Sequence, residues 1–176
     1  MVPVWDPLVR TFHWTLALSF AVAWLSSEPS GRLHQWAGYV AGGLVLARVA
    51  WGFLGCGYAR FSQFVQPPAA IAAYLRSIAT GSERRFIGHN PAGGAMIVVL
   101  LASMMATAAT GWMLTTDAFW GSLAVQRVHS ILAHGVLLLV LAHLGGVALA
   151  SVRHRENLVR AMVIGDKRAA APGDVS

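Results

Sequence analysis

Four apolar runs set what this chain can become: Leu8–Leu25, Leu33–Leu54, Gly93–Leu114 and 128–152. At 1.5 Å of rise per residue, even the shortest reaches about 27 Å as a helix, enough to cross a hydrocarbon core with little tilt. Composition agrees, with 56% apolar and only 11% charged residues. A soluble domain carries roughly a quarter charged residues, so such a chain cannot cover a water-facing surface. The expectation is an all-α membrane protein, a four-transmembrane-helix bundle forming one domain over residues 1–176. The Ala21-Val22-Ala23 sequence in the first run superficially resembles a signal-peptide cleavage site. That run also carries His13 and tryptophans, unlike a plain apolar leader, and is expected to stay.

The last run, within Arg127–Val152, holds three histidines. His129 and His143 are fourteen residues apart. In a helix this is about 21 Å of rise with only about 40° of rotation, so both face one way at two depths. Ionisable side chains inside a span are costly and mark function. Neutral imidazole ligates haem iron well, and two further histidines on neighbouring helices, His13 and His34, would complete two b-haem sites one above the other.

Arginine placement gives each histidine a depth. Of the thirteen Lys and Arg residues, only Arg32 and Arg127 fall in the first and third connections. The positive-inside rule therefore puts both termini, the connection 55–92 and the tail 153–176 in the cytoplasm. His13 then lies near the inner end of an outgoing helix, and His34 opens the returning one. Matched by depth, His13 and His143 would hold an inner haem iron, and His34 and His129 an outer one. His134, five residues after His129, is rotated about 140° from it and is expected to be a hydrogen-bonded interior side chain or a propionate neighbour. His89 and His154 read as solvated or interfacial. Arg10 and Arg48 near the inner level, and Arg32 and Arg127 near the outer, suit haem propionates, because a guanidinium fork matches a carboxylate. Gly38, one turn after His34, leaves room for a ligand plane; Gly42 and Gly43 fit helix packing equally well.

The remaining segments carry less chemistry. Pro67-Pro68 introduces 69–79, a short helix with one apolar stripe, suited to the membrane surface. The methionines of the third run read as packing. No catalytic grouping is evident. The single cysteine, Cys56, rules out an internal disulfide. The net charge of +6 is explained by topology, so no nucleic-acid partner is expected. The Ala/Pro/Gly-rich end of the tail reads as disordered. Trp5, Asp6, Arg10, Trp14 and His89 gather aromatic, acidic and titratable groups at the inner surface. They suit either a quinone site or an interfacial aromatic belt, and Trp36, Trp112 and Trp120 form the matching set outside.

Taken together, Phe12-His13-Trp14, His34-x3-Gly38 with Arg48, Gly88-His89-Asn90-Pro91, and His129-x13-His143 followed by Arg153-His154-Arg155-Glu156-Asn157-Leu158 resemble the bacterial cytochrome b561 family. That family includes the b-type cytochrome subunits of nickel-iron hydrogenases. The resemblance implies an inner-membrane cytochrome with two bis-histidine b haems on His13, His34, His129 and His143. It would pass electrons between the quinone pool and a redox partner in respiratory transport, that partner being a periplasmic cytochrome c or an oxidoreductase subunit. A stand-alone superoxide–quinone oxidoreductase and a hydrogenase subunit are the alternatives it brings. The chain is shorter than the fuller hydrogenase subunits, which favours a stand-alone or cytochrome c-linked role.

Overall fold

A computed structural model describes residues 1–27, 31–55 and 60–175. Pro29, the breaker expected in the first turn, and Cys56 lie outside the described residues. The elements in order are β1 (Val2–Pro3), α1 (Pro7–Leu25), α2 (Arg32–Leu54), α3 (Phe61–Phe64), α4 (Pro68–Thr80), α5 (Pro91–Met113), α6 (Leu123–Arg153), α7 (Leu158–Ile164) and β2 (Asp166–Lys167). Helices α1, α2, α5 and α6 are long and apolar enough to cross a membrane. This is a mostly helical, multi-pass membrane protein.

Local chemistry explains where the spans begin. Asp6 caps α1 by accepting the Val9 amide at 2.9 Å. Asn90 accepts the Gly93 amide at 2.7 Å, and Pro91, lacking an amide hydrogen, takes the first helical position of α5. Helix α6 begins at Leu123, earlier than the apolar run alone suggests. Residues 123–126 are LAVQ, compatible with a helix, and extend it into the preceding polar turn. The expected surface helix is present as α4. Pro68 stands at its start, Gly81 closes it at φ 69°, and Tyr74 is its buried residue.

The chain divides into two compact units. One contains Thr11–Ala50 and Leu100–Val140, and segments of all four spans meet in it. Val45 and Val136 are fully buried there. Gly42 lies so close to α5 that an added Cβ would sit 3.1 Å from the Ala108 Cβ, which assigns this glycine to helix packing. Leu18, Trp36, Leu46, Trp112 and Leu138 are exposed on the same spans, as side chains that face lipid must be. Arg48 is buried in this unit and does not snorkel outward.

The other unit contains Met1–Arg10, Trp51–Val99 and Leu141–Ser176. Its core is Val4, Trp5, Ile87 and Ala161, edged by Val2, Val9 and Met162. Strands β1 and β2 pair antiparallel, Val2 with Lys167 and Pro3 with Asp166.

The disordered tail expected from sequence is corrected here, because residues up to Val175 are built into this unit. Asn157 caps α7 by accepting the Arg160 amide at 2.8 Å. Arg85, buried, donates to both Glu156 oxygens at 2.7 and 3.1 Å, to the Arg168 carbonyl at 2.9 Å and to Asp174. Lys167 sends its ammonium to the carbonyls of Ile87 at 2.9 Å and Gly88 at 3.3 Å, 5.5 Å from the Trp5 ring centroid. Small, polar residues take a fixed path here because charge pairs, rather than apolar burial, hold them.

Candidate haem site

His34 and His129 come together in the unit where the spans meet. Their ring centroids are 6.1 Å apart and their planes stand at 87°. His34 reaches across to α1, where its Nδ1 donates to the Ala23 carbonyl at 2.8 Å. The Nδ1 of His129 lies 3.0 Å from the Thr107 carbonyl and 3.1 Å from the Thr110 hydroxyl of α5. A carbonyl oxygen only accepts, so each Nδ1 carries the proton and each Nε2 keeps its lone pair. Fixing the tautomer through a backbone carbonyl is what orients a metal-ligating imidazole and raises its basicity.

The spacing fits one shared metal. Imidazole nitrogens bind first-row metals at about 2 Å, so two imidazoles sharing one metal would have centroids up to roughly 6 Å apart. Among the described residues no three His, Cys, Asp or Glu side chains gather. The pair is therefore a two-donor site, which would suit an iron whose other ligands come with its cofactor rather than from the chain. Two glycines frame it. A Cβ on Gly111 would approach His129 Cε1 to 3.0 Å, so the ring rests almost against the α5 backbone, whereas a Cβ on Gly38 would meet nothing within 4 Å. Gly43, whose Cβ would also meet nothing within 4 Å, is not a packing glycine.

A model of the prokaryotic cytochrome b561 family matches residues 4–165. The chain belongs to the prokaryotic cytochrome b561 family. It is accordingly a membrane b-type cytochrome of electron transfer, from a family that binds b-type haem. No curated protein and no solved structure matches it.

The other residues singled out from sequence fall as follows. His13 lies in the unit with His34 and His129, its ring edge-on to Trp14 at 5.2 Å. His143, partly buried, lies in the other unit, although the continuous helix α6 carries both it and His129. Arg10 donates to the Val163 carbonyl, while its buried Nε has no hydrogen-bond partner among the described residues, so the fork retains a donor for an anionic group. His89 is not a solvated loop residue. Its ring is 4.6 Å from Trp5 and 4.8 Å from Phe64, packed between them. His134 is hydrogen-bonded as expected, with Nδ1 2.7 Å from the Ser130 carbonyl, but it is exposed rather than interior.

Sequence reasoning passed over the residues that do most of the polar work outside the spans. Arg85 was visible only as positive charge, and Glu156, Lys167 and Asp174 only as tail. The one signal was the run Arg153-His154-Arg155-Glu156-Asn157, four of whose members have a task. Arg153 donates to the Ile78 carbonyl and to Glu83, both at 2.7 Å. Arg155 turns the chain with φ 50°, Glu156 meets Arg85, and Asn157 starts α7.

Proposed function

We propose that this cytochrome is a dihaem electron carrier of the bacterial inner membrane, exchanging electrons with quinone and with a redox partner. The geometry of His34 and His129 carries the reading: two perpendicular imidazoles with centroids 6.1 Å apart, each anchored through Nδ1 and each keeping the lone pair of Nε2. Bound there, haem would supply one-electron chemistry at a potential tuned by ligands, hydrogen bonds and burial. The chain's own part is to hold both rings at fixed angles, keep Nε2 deprotonated and exclude water.

His13 and His143 are proposed as ligands of the second haem from their sequence spacing and depth. Arg10, with its spare Nε, and the buried Arg48 are proposed to meet propionates. Among the groups that suit an inner quinone site, Asp6 also caps a helix and His89 packs between aromatic rings. The arginine distribution supports cytoplasmic termini, and a periplasmic cytochrome c or an oxidoreductase subunit would dock outside.

Reduced-minus-oxidised spectra and haem extraction from purified protein test the reading. Two b haems per chain, both reduced by a short-tailed ubiquinol, are expected. One haem would remove the dihaem proposal, and failure of every quinol to reduce it would remove the quinone.

A further inference from the structure

His134 stands on the wrong side of its helix for a haem ligand and on the right side for a visitor from the bilayer. Ile131 and Leu138, three residues before and four after it, are exposed on the same face of α6. An imidazole on such a face, within a membrane span, is costly unless something meets it. Its Nδ1 proton is given to the Ser130 carbonyl, so the outward Nε2 can only accept. The ring is walled on one side by Trp24, edge-on at 5.2 Å.

We propose that His134 and Trp24 form a quinol-binding site, in which a ring hydroxyl of a hydroquinone donates to His134 Nε2 while its ring lies beside Trp24. This rests on the quinone reading above and assigns it a place. Hydrogen-bond complementarity selects the ligand. The occupant must be a donor and must dissolve in hydrocarbon, which a hydroquinone does. A quinone offers only acceptors, and a second copy of this chain meeting this face about a two-fold axis would set another Nε2 acceptor against the first. The site also adjoins the haem pair through the backbone. Trp24 follows Ala23, the anchor of His34, and Ser130, the anchor of His134, follows His129. Along α6, His134 lies about 7–8 Å from His129.

The experiment uses the full chain in lipid nanodiscs, with excess dithionite keeping decyl-ubiquinol reduced. Its binding is followed by calorimetry against empty nanodiscs. His134→Leu places an apolar side chain at a lipid-facing position and is expected to keep the spectrum of both haems. It should weaken decyl-ubiquinol binding by about fivefold, the loss of one hydrogen bond. His134→Gln, which restores an acceptor, should bind like the unmodified protein. Equal affinity in the Leu variant would overturn the site while leaving quinol oxidation intact. If the unmodified protein neither binds decyl-ubiquinol nor is reduced by it, the quinone reading falls too. Loss of a dimer in the Leu variant at unchanged affinity would overturn the site and give this face to a second copy.

Discussion

His34 and His129 turn their imidazole planes 87° apart across a 6.1 Å centroid separation, with each Nδ1 tied to a carbonyl of a different neighbouring helix. The carbonyls belong to Ala23 and Thr107, so α1 and α5 set the angle between two rings carried by α2 and α6.

Removing either ring should have one spectral consequence. His34→Ala and His129→Ala are expected to lose the same haem, or to open its iron to carbon monoxide, while the other haem keeps its bands. His13→Ala and His143→Ala should give the complementary loss. Difference spectra on the four purified variants check this, and a shared loss between His13 and His34 would break the pairing.

Gly111 predicts a graded effect at the same place. Any Cβ there comes within 3.0 Å of the His129 ring, so Gly111→Val must displace the imidazole or the helix, at a cost of about 1–3 kcal/mol. Haem retention during heating should fall for the haem held by His34 and His129 and stay unchanged for the other. Gly38→Ala, built into open space, should leave both haems in place.

Arg85 predicts how firmly the tail is held. Its side chain and that of Glu156 are 4% and 8% exposed, so Arg85→Met strands the buried Glu156 carboxylate and should cost about 3 kcal/mol. Limited proteolysis is expected to cut the variant within 156–175 while the spans stay protected. Haem spectra should survive, which separates this loss from general unfolding.

Acidity and alkalinity should act on the tail in opposite ways. Burial alone would lift the Glu156 carboxyl, but hydrogen bonds from Arg85 and the Arg168 amide and the charges of Arg85 and Lys167 hold it below its ordinary 4.5. The Ala171 amide and Arg85 likewise hold Asp174 below 3.8. Depressed carboxyls stabilise the folded state above their unfolded values, and this contribution disappears as pH falls through the folded ones. Burial pushes Lys167 down from 10.5 to about 8, so between about pH 8 and 10.5 the unfolded chain binds more protons and stability rises with pH. Hydrogen exchange of the 156–175 amides, corrected for intrinsic rate, should show protection lost below about pH 4 and gained from pH 8 upward. Lys167→Met should flatten only the alkaline limb.

The spans were legible because lipid demands a continuous apolar run, and a run that long is visible without knowledge of contacts. The proximity of the His34 and His129 rings was legible for a related reason: helical rise and topology fix depth, and depth limits which imidazoles can meet. The tail was not legible. Arg85 finds Glu156 and Asp174 across 71 and 89 residues, and no local pattern announces partners at that distance. The exposed setting of His134 was missed because rotation away from His129 excludes the haem face but does not say whether protein or lipid lies on the other side.

The separation between Arg85 and its partners also orders events during synthesis. Arg85 leaves the ribosome while only two of the spans, α1 and α2, precede it, and Asp174 emerges 89 residues later, after the spans α5 and α6. Until Glu156 emerges the guanidinium lacks its later carboxylate partners, and in the proposed topology it would be available to hold the second connection on the cytoplasmic side as the last two spans insert. Neutralisation by Glu156 and Asp174 comes afterwards, so in that topology one arginine would serve first as an insertion signal and then as the buried centre that the finished tail closes over.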